Sequence, residues 1–449
     1  RNMEFDENEE DGNTDVAQVY SFLLRLTGNI TYYIPDRYSE GYGLSAKGID
    51  EAERQGVGLL ITLDCGIKSV ELAKVVAEKR IDLIICDHHR PGRDLPRAVA
   101  VLKGNSAAMR ESLAVAVLDP LREDCPYPSK VLSGCGIGFK LMQALAQRND
   151  IAYSELEPLL DLVAVSAACD IVPLTGENRV LVHLGLKRLN DDPRPGFKAI
   201  MQMADLRKRA SVNEMVFMIG PRINAAGRIE HGSQAVELLL SHDLVQAEQI
   251  GLRIDRNNSL RQDLDKEITR QAMDMIANDE ALQQAWSTVL FEPSWHKGVI
   301  GIVASRLIDV HYKPTVILTE SNGKAGGSAR SVRGFDVYEA ISACSDLLEQ
   351  YGGHMYAAGL TMPLENVKAF RARFEAVVRA TMDPALRTPV EEVDLELEFP
   401  EIGDRLMSVV QHMAPFGPGN MRPVFLTRGV KDTGNARIVG DDHLKLTLV

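Results

Sequence analysis

Several short stretches of the chain bring residues that can hold a cation or move a proton to the end of an apolar run. Leu59–Leu63 (LLITL) runs into Asp64, and Ile81–Cys86 (IDLIIC) runs into Asp87-His88-His89. The apolar stretch Leu159–Ala164 is followed shortly by Asp170, and Asp11, preceded by Glu7 and Glu9, stands near the start. Carboxylates joined by imidazole form an oxygen-rich donor set with some nitrogen. That set suits Mn2+ or Mg2+, whereas a closed structural zinc site calls for thiolates. One carboxylate can bridge two cations, and two cations about 3.5–4 Å apart can hold a phosphate, activate a water and stabilise the leaving oxygen. Singly, Asp64 or Asp170 reads more simply as a helix cap. Adjacent histidines preceded by aspartate are rarer, and the whole set is hard to explain as caps.

The elements that must position these residues read as α/β. Helix-like stretches at 48–55 and 69–79 precede the two apolar runs, and Val16–Leu26 has an amphipathic helical pattern. Short apolar strands alternating with helices predict βαβ units and a buried parallel sheet. In such sheets functional residues gather beyond the carboxyl ends of strands, so each acidic position, Asp170 included, is expected at a strand end. Residues 200–285 read as helical, with the polar stretch Leu244–Ala277 as a solvated connecting helix. Residues 286–385 return to mixed α/β, and a strand-rich segment begins near Pro389. The pentapeptide AVAVL occurs at 98–102 and again at 114–118, which reads as a local insertion or duplication at a sheet edge with no function attached.

Composition narrows the function classes. Hydrophobic residues make up 45% of the 449 and charged residues 25%, a globular balance. No apolar run approaches the ~20 residues needed to span a bilayer, and residues 1–12 carry six acidic side chains and nothing resembling a signal peptide. The six scattered cysteines form no CxxC pair, so a reducing cytoplasm is expected. A net charge of −13 argues against indiscriminate coating of DNA. It leaves room for a nucleic-acid enzyme whose basic groove is local. Residues 291–335 hold six Lys/Arg against three Asp/Glu, and Gly326-Gly327-Ser328 reads as a turn where backbone can approach an anion.

At these residues the chain resembles the DHH phosphoesterases. CDHHRPG at 86–92 looks like the motif that names the family, LDCGI at 63–67 like its second aspartate motif and CDIVPL at 169–174 like its fourth. PDRYSEGYGLS at 35–45, SGCGIGFKL at 133–141, GPRINAAGR at 220–228, WHKGVIGIVASRL at 295–307, GSARS at 327–331 and GGHMYAAGL at 352–360 resemble its single-strand-specific exonuclease branch, which implies an OB fold of which PFGPGNMRPVF at 415–425 is part. The resemblance implies a DHH catalytic domain over 1–200, a helical region and connecting helix over 201–285, a DHH-associated substrate-binding domain over 286–385 and a partial OB-fold β-barrel over 386–449. It implies a two-metal, 5′→3′ exonuclease of DNA repair and recombination. Its partners would be single-stranded DNA with a 5′ end and a helicase or single-strand-binding protein, with no membrane and the chain a monomer. Asp64 would bridge two Mn2+ or Mg2+ ions. His88 and Asp170 would ligate, as would Glu9 and Asp11. Asp87 would orient or ligate, and His89 would touch the scissile phosphate. Arg222, Asn224, Arg228, Arg306, Ser328 and Arg330 would bind DNA, with Gly353 and His354 helping in a glycine-rich turn.

The first family motif departs from its pattern. An apolar strand entering D-x-D-x-D-G is expected, but Glu7 and Glu9 stand at the earlier acidic positions. With Met3 and Phe5 as the only apolar residues before them, the strand is expected to be poor or absent. Glutamate's extra methylene would displace a cation, so weak activity is expected, raised by restoring aspartate at both. Two other readings compete. One is a phosphodiesterase of short oligonucleotides or cyclic dinucleotides; the other is a catalytically impaired protein that binds single-stranded DNA.

Overall fold

The computed structural model describes residues 2–5, 10–36, 40, 43–96, 99–101, 109–111, 116–229, 232–440 and 443–449. The chain divides into two compact units, Arg1–Asp255 with Glu392–Val449, and Arg256–Glu391.

The first unit is built on a parallel sheet of strands β1 (Asn2–Phe5), β2 (Ile30–Tyr33), β3 (Leu59–Leu63), β4 (Asp82–Cys86) and β7 (Ala116–Leu118), in the order β2-β1-β3-β4-β7. β5 (Val99–Val101) and β6 (Met109–Glu111) form a separate antiparallel pair. The first AVAVL thus supplies β5 and the second supplies edge strand β7; residues 98, 102, 114 and 115 lie outside the described set. The strand expected to be poor or absent is present. β1 pairs in parallel with both β2 and β3, and Met3 is fully buried beneath it. Pairing on both sides offsets its short, acidic sequence, an instance of context overriding strand propensity. Helices α1 (Glu10–Leu26), α2 (Ala46–Arg54) and α3 (Val70–Glu78) alternate with the strands. In β3, burial of Leu60 and Leu63 contributes about 1.5–3 kcal/mol each.

Beyond the sheet come α4 (Gly134–Arg148), α5 (Leu160–Cys169), α6 (Gly176–Asp191), α7 (Pro195–Met203), and α8 (Val212–Glu214), which continues through a π-helical turn at Met215–Ile219 into α9 (Gly220–Ile229). Helix α10 (Ser233–Leu240) and the 34-residue α11 (Leu244–Ala277) follow. The stretch before Asp170, expected to be a strand, is α5, with nine of its ten residues buried. A helix buried on every side has no polar stripe, so its sequence cannot be told from a buried strand by periodicity. Helix α6 packs on it so closely that a β-carbon at Gly185 would lie 1.9 Å from the Leu160 carbonyl oxygen.

The second unit contains α12 (Glu280–Gln284) and a sheet of β8 (Thr288–Phe291), β9 (Thr315–Ser321), β10 (Lys324–Arg330), β11 (Gln350–His354) and β12 (Ala357–Pro363), in the order β11-β12-β10-β9-β8. Helices α13 (Ile300–His311), α14 (Val337–Ser342) and α15 (Val367–Thr381) complete it. Gly326-Gly327-Ser328 is not a turn but the middle of β10, paired on both sides. A β-carbon at Gly327 would meet Leu318 Cδ2 at 2.4 Å, so the glycine serves packing. Gly352-Gly353-His354 is likewise strand, on edge β11. There Gly353 has φ 144°, and a β-carbon would lie 2.3 Å from the Ala357 carbonyl oxygen.

Residues 392–449 group with the first unit, where Leu174 N–H donates to the Pro418 carbonyl at 2.7 Å. They contain helix α16 (Asp404–His412) and two pairs of short strands, β13 (Leu395–Glu396) with β14 (Phe425–Leu426) and β15 (Arg437–Val439) with β16 (His443–Lys445). No helix among the described residues is long and apolar enough to cross a membrane.

Candidate active site

Three neighbouring parallel strands end in aspartate at one level. Leu63 of β3 faces Cys86 of β4, and Cys86 faces Leu118 of β7, so Asp64, Asp87 and Asp119 follow in a row along the carboxyl edge. The ladder continues beneath them, with Asp64 N–H on the Cys86 carbonyl at 2.8 Å and Asp87 N–H on the Leu118 carbonyl at 3.0 Å. Asp64 adopts φ 58°, a left-handed conformation that costs free energy in a non-glycine residue and that clusters at functional sites.

His88 Nε2 lies 3.0 Å from Asp64 Oδ1 and 3.6 Å from Asp170 Oδ2. Asp64, His88 and His89 each offer a ligand atom within 4.8 Å of the others. Asp170 reaches the group from the C-cap of α5, not from a strand end. Asp87 is different. Its Oδ1 accepts the N–H groups of His88 (2.7 Å) and His89 (3.0 Å) and pairs with His89 Nδ1 at 2.8 Å, while Oδ2 accepts Ile67 N–H at 2.8 Å. Burial pushes its pKa up, but the hydrogen bonds, led by His89, prevail and hold it below the ordinary carboxylate value. Asp87 therefore spends its lone pairs orienting His89 and the loop.

Two further carboxylates escaped the sequence reading. Asp119 follows an apolar run as Asp64 and Asp87 do, and that shared pattern was the available signal. It is 2% exposed; one oxygen accepts Leu121 N–H at 2.7 Å, and Oδ2 has no hydrogen-bond partner. Burial, with the charge of Asp87 adding, pushes its pKa up to about 6. Asp15, fully buried on α1, sends Oδ2 to within 2.6 Å of where a β-carbon at Gly134 would stand, and Asp64 Oδ1 comes as near to the same point. No sequence pattern linked α1 to the start of α4.

The raised pKa of Asp119 has a measurable consequence. The folded state binds its proton more tightly than the unfolded chain, so this group costs stability above pH 6 and the cost disappears as pH falls below about 4. Asp119→Asn is expected to stabilise the protein at pH 8 by up to about 3 kcal/mol and to gain little at pH 4. Urea denaturation in chelator at both pH values checks this; an equal change at both removes the linkage.

The residues expected to bind DNA are more dispersed. Arg222 donates from Nε to Asp255 Oδ1 at 2.9 Å and from Nη1 to the Met218 carbonyl at 2.8 Å. Asn224 is buried on α9, its Oδ1 without a hydrogen-bond partner. Arg306 pairs with Asp265. Arg330 Nη1 donates to Ser328 Oγ and to the Ala329 carbonyl, both at 2.9 Å. Both side chains lie over the first turn of α13, where a β-carbon at Gly301 would be 3.0 Å from Ser328 Oγ and 3.2 Å from Arg330 Nη2. That helix start has no side-chain cap. His354 is exposed on β11. Glu7 and Glu9 lie outside the described residues, as do the side chains of Asp11 and Arg228; Asp11 lies in the first turn of α1 and Arg228 near the end of α9.

Comparison with known proteins places this fold in one class. Residues 7–166 match the DHH family N-terminal domain, residues 281–380 the DHHA1 domain and residues 393–449 the RecJ OB domain. The single-stranded-DNA-specific exonuclease RecJ of Escherichia coli K12 is 33% identical over 97% of this chain and 76% of its own length. RecJ of Bacillus subtilis 168 is 36% identical over 98% of the chain, which spans about half (53%) of that relative. The crystal structure of Thermus thermophilus RecJ in complex with Mn2+ superposes with a TM-score of 0.82 at 29% identity, covering 100% of this chain and 62% of that one. The chain belongs to the RecJ family.

Proposed function

We propose that the protein hydrolyses phosphodiester bonds of single-stranded DNA from the 5′ end, in repair and recombination, with two Mn2+ or Mg2+ ions. The observation that carries this is the convergence of Asp64, His88, His89 and Asp170 in a member of the RecJ family. The donor set fits hard divalent cations: carboxylate oxygens crowd one imidazole nitrogen, with no thiolate among the donors. Asp64, His88 and Asp170 would hold the ions, with Glu9 and Asp11 as further ligands. Bound there, such ions acidify a water and neutralise charge on the phosphate. The chain's own residues supply the positioning. Asp87 holds His89 through Nδ1 and so orients the ring that would meet a phosphate oxygen. Degradation of 5′-tailed DNA with and without Mn2+ tests the reading; release of nucleotides in excess chelator contradicts it.

Ser328, Arg330 and the open N-terminus of α13 would form a phosphate cradle, since helix N-termini favour anions. Such a grip is indifferent to base sequence. Arg330→Ala is expected to weaken binding of unrelated single strands alike and to flatten the slope of log K against log salt by about 0.7. Anisotropy titrations across salt concentrations on two oligonucleotides check it, and a changed sequence preference contradicts it. Arg222, Asn224 and Arg228 in the first unit, and Gly353 and His354 in the second, would also bind the strand. The protein would work as a monomer beside a helicase or single-strand-binding protein. Its six cysteines, scattered and without a CxxC pair, suit a reducing cytoplasm.

A further inference from the structure

Helix α11 is not the solvated rod its polar composition predicts. Its buried positions form one continuous stripe: Ala247, Ile250, Gly251 and Ile254, then Asn257, Asn258, Arg261 and Asp265, then Ile268, Ala272 and Ile276. The two apolar ends are explained by core formation in the two units. The polar middle is not. Burying polar and charged groups costs free energy, and a buried ion pair is weak evidence of a stabilising role, because well-packed apolar residues commonly serve as well.

The geometry of Asp265 points elsewhere. It is fully buried, and its carboxylate accepts three contacts from one guanidinium: Arg306 Nε at 2.8 Å to Oδ1 and 2.9 Å to Oδ2, and Arg306 Nη2 at 2.7 Å to Oδ2. Thr269 Oγ1 adds a long contact of 3.4 Å to Oδ1. The carboxylate thus engages the Nε–Nη2 edge of Arg306 and leaves Nη1 out of the pair. The Arg306 side chain is 51% exposed although its partner is hidden. A guanidinium is a planar fork with five N–H donors, so fixing one edge on a buried carboxylate fixes the direction of the opposite edge. An arginine gripping phosphate otherwise loses rotamer freedom on binding.

We infer that Asp265 is a positioning residue for DNA binding: it holds Arg306 by the Nε–Nη2 edge so that the Nη1 edge is presented, already ordered, to a phosphate of the single strand. This rests on the reading of Arg306 as a phosphate contact. Asp265 itself touches no DNA.

The test is a double-mutant cycle on the full chain with a fluorescent oligothymidylate, reading Kd by anisotropy, KM and kcat by nucleotide release, and melting temperature by circular dichroism. Asp265→Asn is expected to raise Kd about tenfold, the scale of one charge-assisted hydrogen bond, with the loss falling on KM more than on kcat. Asp265→Glu, which keeps the charge, should recover part of it. Arg306→Ala should weaken binding at least as much, and adding Asp265→Asn to it should do no further harm to Kd. If Arg306→Ala weakens binding while Asp265→Asn lowers only the melting temperature, the pair is a structural brace and the inference is overturned. If Arg306→Ala leaves Kd unchanged, the phosphate reading of Arg306 fails, and the inference with it.

Discussion

Asp64→Asn is expected to abolish nucleotide release, lowering turnover on the order of 1000-fold, the upper end of what loss of one preorganised electrostatic contact costs. The substitution keeps side-chain size and removes the charge beside His88 Nε2, 3.0 Å away. Because Asp64 is 2% exposed and sits at the end of a fully paired strand, the fold has little reason to change. Binding of single-stranded DNA in chelator should therefore remain within about twofold, since that term comes from phosphate contacts and not from this site. Mn2+ titration by electron paramagnetic resonance provides a second readout, with Asp64→Asn retaining fewer tightly held ions. An Asp64→Asn protein that turns over normally, or that holds Mn2+ as the parent does, removes the centre from the mechanism.

Gly134→Ala should be nearly as damaging to activity although it lies on no motif that names a ligand. The added methyl would stand 2.6 Å from both Asp15 Oδ2 and Asp64 Oδ1, and 2.7 Å from Asp64 Cβ. Real β-carbons do not tolerate such approaches, so the carboxylates must retreat. A displacement of about 1 Å in a reacting group can cost on the order of 100-fold in rate. Stability should fall by the ~1–3 kcal/mol typical of overpacking, leaving a folded protein in which the loss of kcat can be measured. Unchanged kcat in a folded Gly134→Ala protein would mean that the Asp15–Asp64 juxtaposition is not part of the working site.

The sequence was most legible where hydrophobic pattern and local chemistry coincide. Strands LLITL and IDLIIC announce themselves, and the residue after each is a functional candidate by position alone. Asp170 was picked out for the wrong local reason: an all-apolar helix and a buried strand share a pattern, and only packing separates them. Glycines misled more. In β10 and β11 they permit close packing or an unusual φ within strands, which composition cannot distinguish from turns. What stayed hidden is long-range. Arg306 was readable as a basic residue, but its partner Asp265 lies 41 positions away on a helix that reads as solvated. Asp15 meets Gly134 only because α1 crosses α4. Asp119 carried the same signature as Asp64, but its apolar run looked like half of a duplication.

The level row of Asp64, Asp87 and Asp119 ties correctness of folding to chemistry. Side chains in a strand alternate between faces, so sliding β3 or β7 by one residue against β4 would invert every residue on the shifted strand. Such a slip would turn Leu60 and Leu63, which belong to cores on opposite faces of the sheet, toward the wrong ones, and at the same moment carry the end of the strand out of line with its neighbours. Near-native misfolds of this sheet would thus lose the aligned row altogether. On the function proposed above, a nascent or damaged chain would gain its chemistry only once the apolar side chains beneath the row have selected the right alignment, so the core itself would check the assembly of the site.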